Sequence, residues 1–231
     1  MESTEITKLT ELEDSHWWYG ERRSILRRMI KGLQPTTALD IGAAGGGNTR
    51  VLVEAGWDVV ALEYSVAGAE VAKSRGLPVL RADARALPFP DRSMGLVVAF
   101  DILEHVEEDD RMAAEIQRVL APGGTALIAV PADMRLWSAH DVAVGHVRRY
   151  DRESLHRVLS GAGLIVDEMW SWNVLLRPVA KFRRRKSTGS DLDELSPMTN
   201  AALRAIIASE RRLPVRGLPG VSLVVQAHSV D

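Results

Sequence analysis

Cysteine is absent from the 231 residues of this chain. Disulfide bridges, cysteine-ligated zinc and a thiol nucleophile are therefore excluded. Long apolar runs are also lacking, since no stretch approaches the roughly 20 residues needed to cross a bilayer. Residues 1–13 are polar and acidic, unlike a secretory signal. We therefore expect a cytoplasmic protein.

An excess of charge of one sign is missing too, since 29 Lys and Arg residues stand against 31 Asp and Glu residues. The formal net charge of −2 provides no bulk attraction to nucleic acid, although it is compatible with a local basic patch. A nucleic-acid partner is therefore not favoured. The length is typical of one α/β domain with a full core.

Glycine, by contrast, is concentrated in one short segment. The apolar run Thr37–Ile41 is followed by glycines at 42 and 45–47, and a helical pattern then begins near Thr49. A buried parallel strand that turns tightly into a helix is where open α/β sheets bind nucleotide-like ligands. A second apolar run ends in Glu63, at about the 20-residue spacing expected for a carboxylate that binds ribose hydroxyls.

The spacing of the glycines distinguishes two classes of cofactor. A dinucleotide turn that starts at Gly42 needs glycine at positions 44 and 47, but position 44 is Ala44. Asp40 would repel a pyrophosphate and would suit a cofactor that carries an amino group and a sulfonium. The segment resembles motif D-x-G-x-G-x-G of the class I S-adenosylmethionine-dependent methyltransferases. Asp40, Gly42 and Gly46 match it, whereas Ala44 departs from it and predicts a slightly wider turn.

The resemblance continues through ordered motifs over about residues 37–131. Asp83 follows the third strand, where the family's acid meets the adenine amino group, and residues 83–91 resemble the loop beside the adenine. Residues 95–101 resemble the fourth strand. Residues 115–130 resemble the family's helix, its Pro-Gly-Gly turn and a fifth strand from Thr125 to Val130.

The resemblance implies S-adenosylmethionine as the cofactor and S-adenosylhomocysteine as the product. An arginine near the N-terminus, Arg22 or Arg23, is expected to meet the methionine carboxylate, which is a charge-assisted pairing. Trp17, Trp18 and Tyr19 cannot all point inward from one helix, so we expect at least one to close over the cofactor or the acceptor. The expected cofactor-binding residues are Tyr19, Arg22, Asp40, Gly42, Ala44, Gly46, Glu63, Tyr64, Asp83, Ala84 and Phe100.

Strands that alternate with helices predict a parallel sheet with right-handed crossovers. The resemblance implies a Rossmann-like α/β fold with a seven-stranded, mostly parallel sheet in the order 3-2-1-4-5-7-6 and helices on both faces. We predict a single domain over 1–231, in which 1–35 is an N-terminal helical lid. The core comprises 36–172 and 220–231, and 173–219 is a helical insertion between the last two strands.

The insertion is longer than an ordinary loop, which suggests that it has a purpose. We predict a helix over 173–186 that is broken near Pro178, a polar, flexible stretch over 187–197 and a second helix over 198–212. We predict that the insertion is a lid that is mobile without ligand and orders when the acceptor binds, and a fixed insertion remains the alternative.

Candidate catalytic residues follow the fourth and fifth strands, at the sheet edge where active sites gather. Methyl transfer to a hydroxyl or ammonium is assisted by a base, and the candidates are His105, His140, Asp141 and His146. Tyr150 is interpreted as an anchor for the next helix. We predict no metal site, because only two histidines and one acid share the 136–150 loop, which we expect to be flexible.

These features predict methyl transfer to an oxygen or nitrogen of a small-molecule acceptor, by a monomer or homodimer. The basic run 181–186 would suit a phosphorylated or lipid-linked acceptor, or a peripheral membrane surface. Three alternatives stay open: an RNA or protein methyltransferase, a NAD-dependent oxidoreductase, and a cofactor-binding partner subunit without catalysis.

Overall fold

The computed structural model describes residues 10–185 and 195–230. The strands are β1 (Thr37–Ile41), β2 (Asp58–Glu63), β3 (Val79–Arg81), β4 (Met94–Phe100), β5 (Leu120–Pro131), β6 (Leu164–Trp172) and β7 (Ser222–Ser229). The α-helices are α1 (Trp17–Met29), α2 (Gly47–Glu54), α3 (Val66–Ser74), α4 (Asp109–Val119), α5 (Ala139–Val144), α6 (Arg152–Gly161), α7 (Arg177–Arg184) and α8 (Pro197–Glu210). Short 3-10 helices cover Leu103–His105 and Met134–Leu136.

The seven strands form one sheet in the order β3-β2-β1-β4-β5-β7-β6. The pairs among β1 to β5 are parallel, and β7 runs antiparallel to both β5 and β6. This confirms the predicted Rossmann-like sheet. Because β1 to β5 are parallel, the loops that follow them lie at the same edge of the sheet.

Apolar side chains are buried on both faces of the sheet, as the predicted architecture requires. On one face, residues such as Met112, Ile116 and Leu159 join α4 and α6 to the sheet. On the other face, Leu26 and Ile207 join α1 and α8 to it. Helices therefore cover both faces. Among the described residues, no helix combines the length and the apolar character needed to span a membrane.

Several predicted boundaries were wrong. β5 begins at Leu120, ahead of the expected Pro-Gly-Gly turn, and the register with β4 shifts between Met94 and Leu96 to accommodate these residues. The helix expected over 173–186 begins only at Arg177, because Pro178 fits the first turn of a helix better than its interior. The loop expected over 136–150 contains α5, whose start is closed by a capping box.

The described parts of the insertion are attached to the N-terminal segment. The side chain of Asn200 accepts a hydrogen bond from Trp17 N (2.7 Å) and donates to Ser15 O (2.7 Å). At the other end of α8, the buried carboxylate of Glu210 accepts from the backbone N–H groups of Asn173 (2.8 Å) and Leu175 (3.0 Å). Most of the predicted flexible stretch 187–197 lies outside the described residues.

Candidate functional site

A cavity of about 810 Å³ opens at the sheet edge where β1 to β5 end. Its walls come from the loops that follow these strands, together with parts of α1 and α7. From the strand order, the loops after β2 and β3 form one side of the cavity, and those after β4 and β5 form the other. This is the edge at which open α/β sheets bind their ligands.

Glu63, at the end of β2, is buried and lines the cavity. One carboxylate oxygen accepts from Ala44 N (2.8 Å), and the other accepts from Ser65 N (2.7 Å). Both oxygens keep a second lone pair, so the carboxylate can also accept from a ligand's hydroxyl groups. Tyr64 lies on the cavity wall and is exposed.

The glycine-rich turn keeps a tight geometry despite Ala44. The backbone of Ala44 has φ +46°, the left-handed region that favours glycine, and Gly46 N donates to Ala43 O (2.7 Å). Ala44 therefore adopts a conformation that glycine takes most readily, within a turn closed by this hydrogen bond. Gly42 lines the cavity, and an added Cβ there would lie 2.9 Å from Ile102 Cδ1.

Asp83 follows β3 and lines the cavity, as does the neighbouring Ala84. The Asp83 carboxylate accepts two parallel hydrogen bonds from Arg85, at 3.0 Å from Nε and 2.7 Å from Nη2. Hydrogen bonding from the Arg85 side chain lowers the pKa of Asp83. An ionised acceptor therefore faces the cavity, with Arg85 fixing its orientation.

Two predicted cofactor residues lie behind the glycine-rich turn. Asp40 is fully buried, accepts a hydrogen bond from Thr49 Oγ1 (2.6 Å) and does not line the cavity. Burial raises the pKa of Asp40 to about 7, although the hydrogen bond from Thr49 acts to lower it. Gly46 packs against Leu77, which leaves no room for a Cβ. Both residues shape the turn from behind, and neither is in a position to touch a ligand in the cavity.

Arg22 is buried among three aromatic side chains, two of which, Trp18 and Phe100, line the cavity. Its guanidinium carbon lies 5.0 Å from the ring of Trp18, 4.7 Å from that of Trp172 and 6.0 Å from that of Phe100. The Nη2 atom of Arg22 donates hydrogen bonds to Asp101 Oδ1 (2.5 Å) and to Ser222 Oγ (3.1 Å).

The other two nitrogen atoms of Arg22, Nε and Nη1, have no hydrogen-bond partner within residues 10–185 and 195–230. Buried donors without acceptors are rare, and a carboxylate in the cavity would satisfy both. Of the adjacent aromatics, Trp17 packs in the core, whereas Trp18 and Tyr19 are partly exposed at the cavity. All three line the cavity, and that at least one of them closes over the cofactor or the acceptor stays a prediction.

Three polar side chains meet on the β4–β5 side and are called here the polar cluster: Glu104, His105 and His146. One potential ligand atom from each lies within 4.8 Å of the others. Burial, followed by the nearby Asp101, raises the pKa of Glu104. Burial, followed by the neighbouring His146, lowers the pKa of His105 to about 4, so this ring is neutral at neutral pH.

Asp141 was predicted as a catalytic residue, but the structure places it behind the cavity. It is fully buried, and its carboxylate accepts from Ser138 N (2.9 Å), His146 Nδ1 (2.8 Å) and Arg149 Nε (2.8 Å). Asp141 therefore orients His146. His140 lines the cavity, with its ring 6.2 Å from that of His146. Tyr150 is buried and donates to Asp109 Oδ2 (2.6 Å), as expected of an anchor.

The sequence analysis missed several acids that line the cavity, among them Glu13 and Glu104. Glu104 directly precedes His105 after β4, and this position next to a predicted site residue could have identified it. Glu13 gave no such signal, because it stands in a polar segment. In the structure it is buried against Gly45 and Gly47 and is ion-paired with Arg75 (2.6 Å).

Comparison with known proteins supports the interpretation of this edge. Residues 39–128 match a family model described as a methyltransferase domain. A protein of Mycolicibacterium smegmatis named a probable S-adenosylmethionine-dependent methyltransferase is 24% identical over 161 residues, which cover 68% of this chain and 63% of the relative. The chain thus spans about three fifths of the length of the first curated relatives that it matches.

Two solved structures share the fold. A chain from the Haloferax volcanii complex of the Trm112 methyltransferase activator with a methyltransferase has a TM-score of 0.65 and 20% identity, covering 96% of this chain and 93% of its own. A SAM-dependent methyltransferase from Archaeoglobus fulgidus has a TM-score of 0.65 and 15% identity, covering 91% of this chain and 94% of its own.

Proposed function

We propose that this chain, whose residues 39–128 match a methyltransferase domain, transfers a methyl group from S-adenosylmethionine to an oxygen or nitrogen of a small-molecule acceptor. One observation carries this proposal. A single cavity joins the strand-end acids Glu63 and Asp83 to the buried Arg22 and to the polar cluster. A nucleoside-binding side and a proton-accepting side therefore share one space.

The residues on the β2–β3 side fit the cofactor. Glu63 would accept from the ribose hydroxyls, and Asp83 with Ala84 would hold the adenine. The two unpartnered nitrogen atoms of Arg22 would bind the methionine carboxylate. When bound, S-adenosylmethionine supplies a methyl group that its sulfonium has already activated. The chain's own task is then to hold the nucleophile in line and to exclude water.

The residues on the β4–β5 side suit the acceptor. His105 is neutral at neutral pH, and His146 is held by Asp141 with its Nε2 atom on the side of Glu104. Such groups can orient a hydroxyl or amine and receive its proton. His140 lines the same wall. A base among these histidines remains our proposal, as do the cytoplasmic location and a monomeric or homodimeric state.

Calorimetry with S-adenosylhomocysteine and NAD tests the cofactor half of the proposal. We expect S-adenosylhomocysteine to bind at one site per chain and NAD not to bind. Binding of NAD alone would overturn the proposal in favour of an oxidoreductase. Binding of S-adenosylhomocysteine without turnover on small molecules, RNA or protein would point to the partner-subunit alternative.

A pair of variants then separates the two sides of the cavity. Once an acceptor is found, His146→Asn should lower turnover by about 100-fold, the scale of lost acid–base assistance, with cofactor affinity unchanged. His156→Asn, at an exposed position on α6, should match the wild type. Equal turnover in the two variants would exclude His146 from the acceptor site.

A further inference from the structure

Glu104 is fully buried, lines the cavity and lacks the partners that a buried carboxylate normally has. Neither of its oxygens accepts a hydrogen bond from any residue in the described part of the chain. Buried carboxylates are usually paired with a cation or coordinate a metal. The nearest cationic candidate is the ring of His146, with its Nε2 atom 3.7 Å from Glu104 Oε1. The carboxylate therefore leaves a binding position unfilled.

The two imidazoles beside Glu104 are oriented as metal ligands are. His105 Nδ1 lies 3.1 Å from Gly145 O, and since a carbonyl oxygen only accepts, this nitrogen carries the proton. His146 Nδ1 lies 2.8 Å from the Asp141 carboxylate, which likewise accepts. Both Nε2 atoms then keep a free lone pair. Metal-bound histidines almost always donate their other N–H to a carbonyl or carboxylate in this way.

Rigid parts of the fold hold the three side chains together. Glu104 and His105 belong to the 3-10 helix that follows β4, and His146 follows α5. The two segments are joined because Val147 N donates to the backbone oxygen of Glu104 (2.8 Å). Asp141, which orients His146, is itself held by Arg149.

We propose that Glu104, His105 and His146 bind one divalent transition-metal ion, whose remaining positions face the cavity. Metal–ligand bonds of about 2.1 Å place neighbouring ligand atoms about 3 Å apart. His146 Nε2 and Glu104 Oε1 are 3.7 Å apart, and the three ligand atoms lie within 4.8 Å of one another, so binding of the ion requires these side chains to move closer together. Two imidazoles and one carboxylate favour Mn²⁺, Fe²⁺ or Zn²⁺ over Mg²⁺ or Ca²⁺, which prefer oxygen ligands alone.

A metal ion at this position narrows the class of acceptor. With the metal bound, His105 and His146 would be ligands and could not also serve as the base. An open coordination position would take a hydroxyl oxygen and lower the pKa of that hydroxyl, whose proton would pass to solvent. The acceptor is then a hydroxyl compound, and methylation occurs on oxygen. This second step rests on the proposed function, whereas binding of the metal does not.

Titration of the chelator-treated full chain with Mn²⁺, followed by calorimetry and by the EPR signal of free Mn²⁺, tests the site. We expect one Mn²⁺ per chain, displaced by Zn²⁺. Glu104→Gln, which keeps the shape of the side chain, should weaken Mn²⁺ binding at least 100-fold. The control Glu153→Gln removes an exposed carboxylate on α6, outside the cavity, and should bind as the wild type does. A thermal melt of each variant verifies folding.

Two further readouts make the result decisive. Water-proton relaxation should be enhanced by bound Mn²⁺, because open positions exchange water; its absence would overturn the acceptor role. No stoichiometric Mn²⁺ or Zn²⁺ binding, or equal binding by Glu104→Gln and Glu153→Gln, would overturn the site itself. S-adenosylhomocysteine binding to the metal-free protein is measured in parallel. Its failure would count against the proposed methyltransferase function and leave the metal result standing.

Discussion

At the scale of single residues, Glu63 has partners before any ligand arrives. Its two carboxylate oxygens accept from Ala44 N and Ser65 N, so the loops after β1 and β2 are held in place by the acid expected to bind the ribose. A carboxylate fixed by two backbone N–H groups loses little freedom when a ligand binds. The carboxylate lines the cavity, and each oxygen keeps a lone pair with which it can accept from a ligand.

We predict that Glu63→Ala weakens S-adenosylmethionine binding by about 2–3 kcal/mol, the range for hydrogen bonds to a charged group. Calorimetry measures the change directly. Glu70→Ala removes an exposed carboxylate on α3 and serves as the control, with no change expected. Unchanged affinity in Glu63→Ala would mean that the end of β2 does not hold the ribose.

Ala44 allows a second prediction, on stability. An alanine at φ +46° has a Cβ that crowds its own backbone, at a cost of roughly 1–2 kcal/mol that glycine avoids. Ala44→Gly should therefore raise the free energy of unfolding by about 0.5–1 kcal/mol, after the greater flexibility of glycine in the unfolded chain is offset.

The neighbouring residue provides the control for that prediction. Ala43 is buried and has no positive φ, so Ala43→Gly should lower stability by about 1 kcal/mol. Urea unfolding of both variants measures the difference. Destabilisation of equal size at the two positions would show that the left-handed conformation of Ala44 carries no strain.

At the scale of secondary-structure elements, α8 determines how the insertion behaves. It is tied to the N-terminal segment through Asn200, it buries Ile207 against the sheet and its Glu210 binds two backbone N–H groups. Elements with buried contacts and paired backbone groups open rarely. The structure thus favours a fixed insertion over a moving lid for 197–210.

Hydrogen exchange tests this behaviour. We predict strong protection over 197–210 in the free protein, with little change when S-adenosylhomocysteine is added. Asn200→Ala should speed exchange in the first turns of α8, whereas Met198→Ala, at an exposed position of the same helix, should not. Rapid exchange in the free protein that slows only with acceptor would restore the moving lid.

At the scale of the whole molecule, the buried Asp40 makes stability depend on pH. Its pKa in the folded chain is raised by burial from 3.8 to about 7, so the folded state holds a proton that the unfolded chain has released. The contribution of this proton to the free energy of unfolding is fully present below pH 4 and is lost as the pH rises to about 7.

We predict that Asp40→Asn, which cannot ionise, gains stability relative to the wild type as the pH rises from 4 to 7. The full gain is on the order of 4 kcal/mol, since each pKa unit corresponds to about 1.4 kcal/mol. Denaturant unfolding at several pH values measures it, with Asp58→Asn at an exposed position as the control. A gain that does not depend on pH would mean that Asp40 is ionised throughout the range.

The sequence by itself determined the alternation of strands and helices, the family resemblance and the positions of Glu63 and Asp83 at strand ends. These follow from patterns between near neighbours, since periodicity and the end of an apolar run are local properties. The same local logic explains the boundary errors. Pro178 was interpreted as a break inside a helix, whereas it lies in the first turn of that helix, and the start of β5 was predicted too late in the sequence.

Only the tertiary structure decided which charged groups are buried and what they face. Asp40 and Asp141 were predicted as site residues because they are acids next to the site motifs. The structure places both behind the cavity, where they accept hydrogen bonds from Thr49 and Arg149 respectively. Glu104 passed unnoticed, yet it faces the cavity and lies beside His146. The desolvation and pairing of a charge depend on segments that are far apart in the chain and meet only when the sheet is assembled.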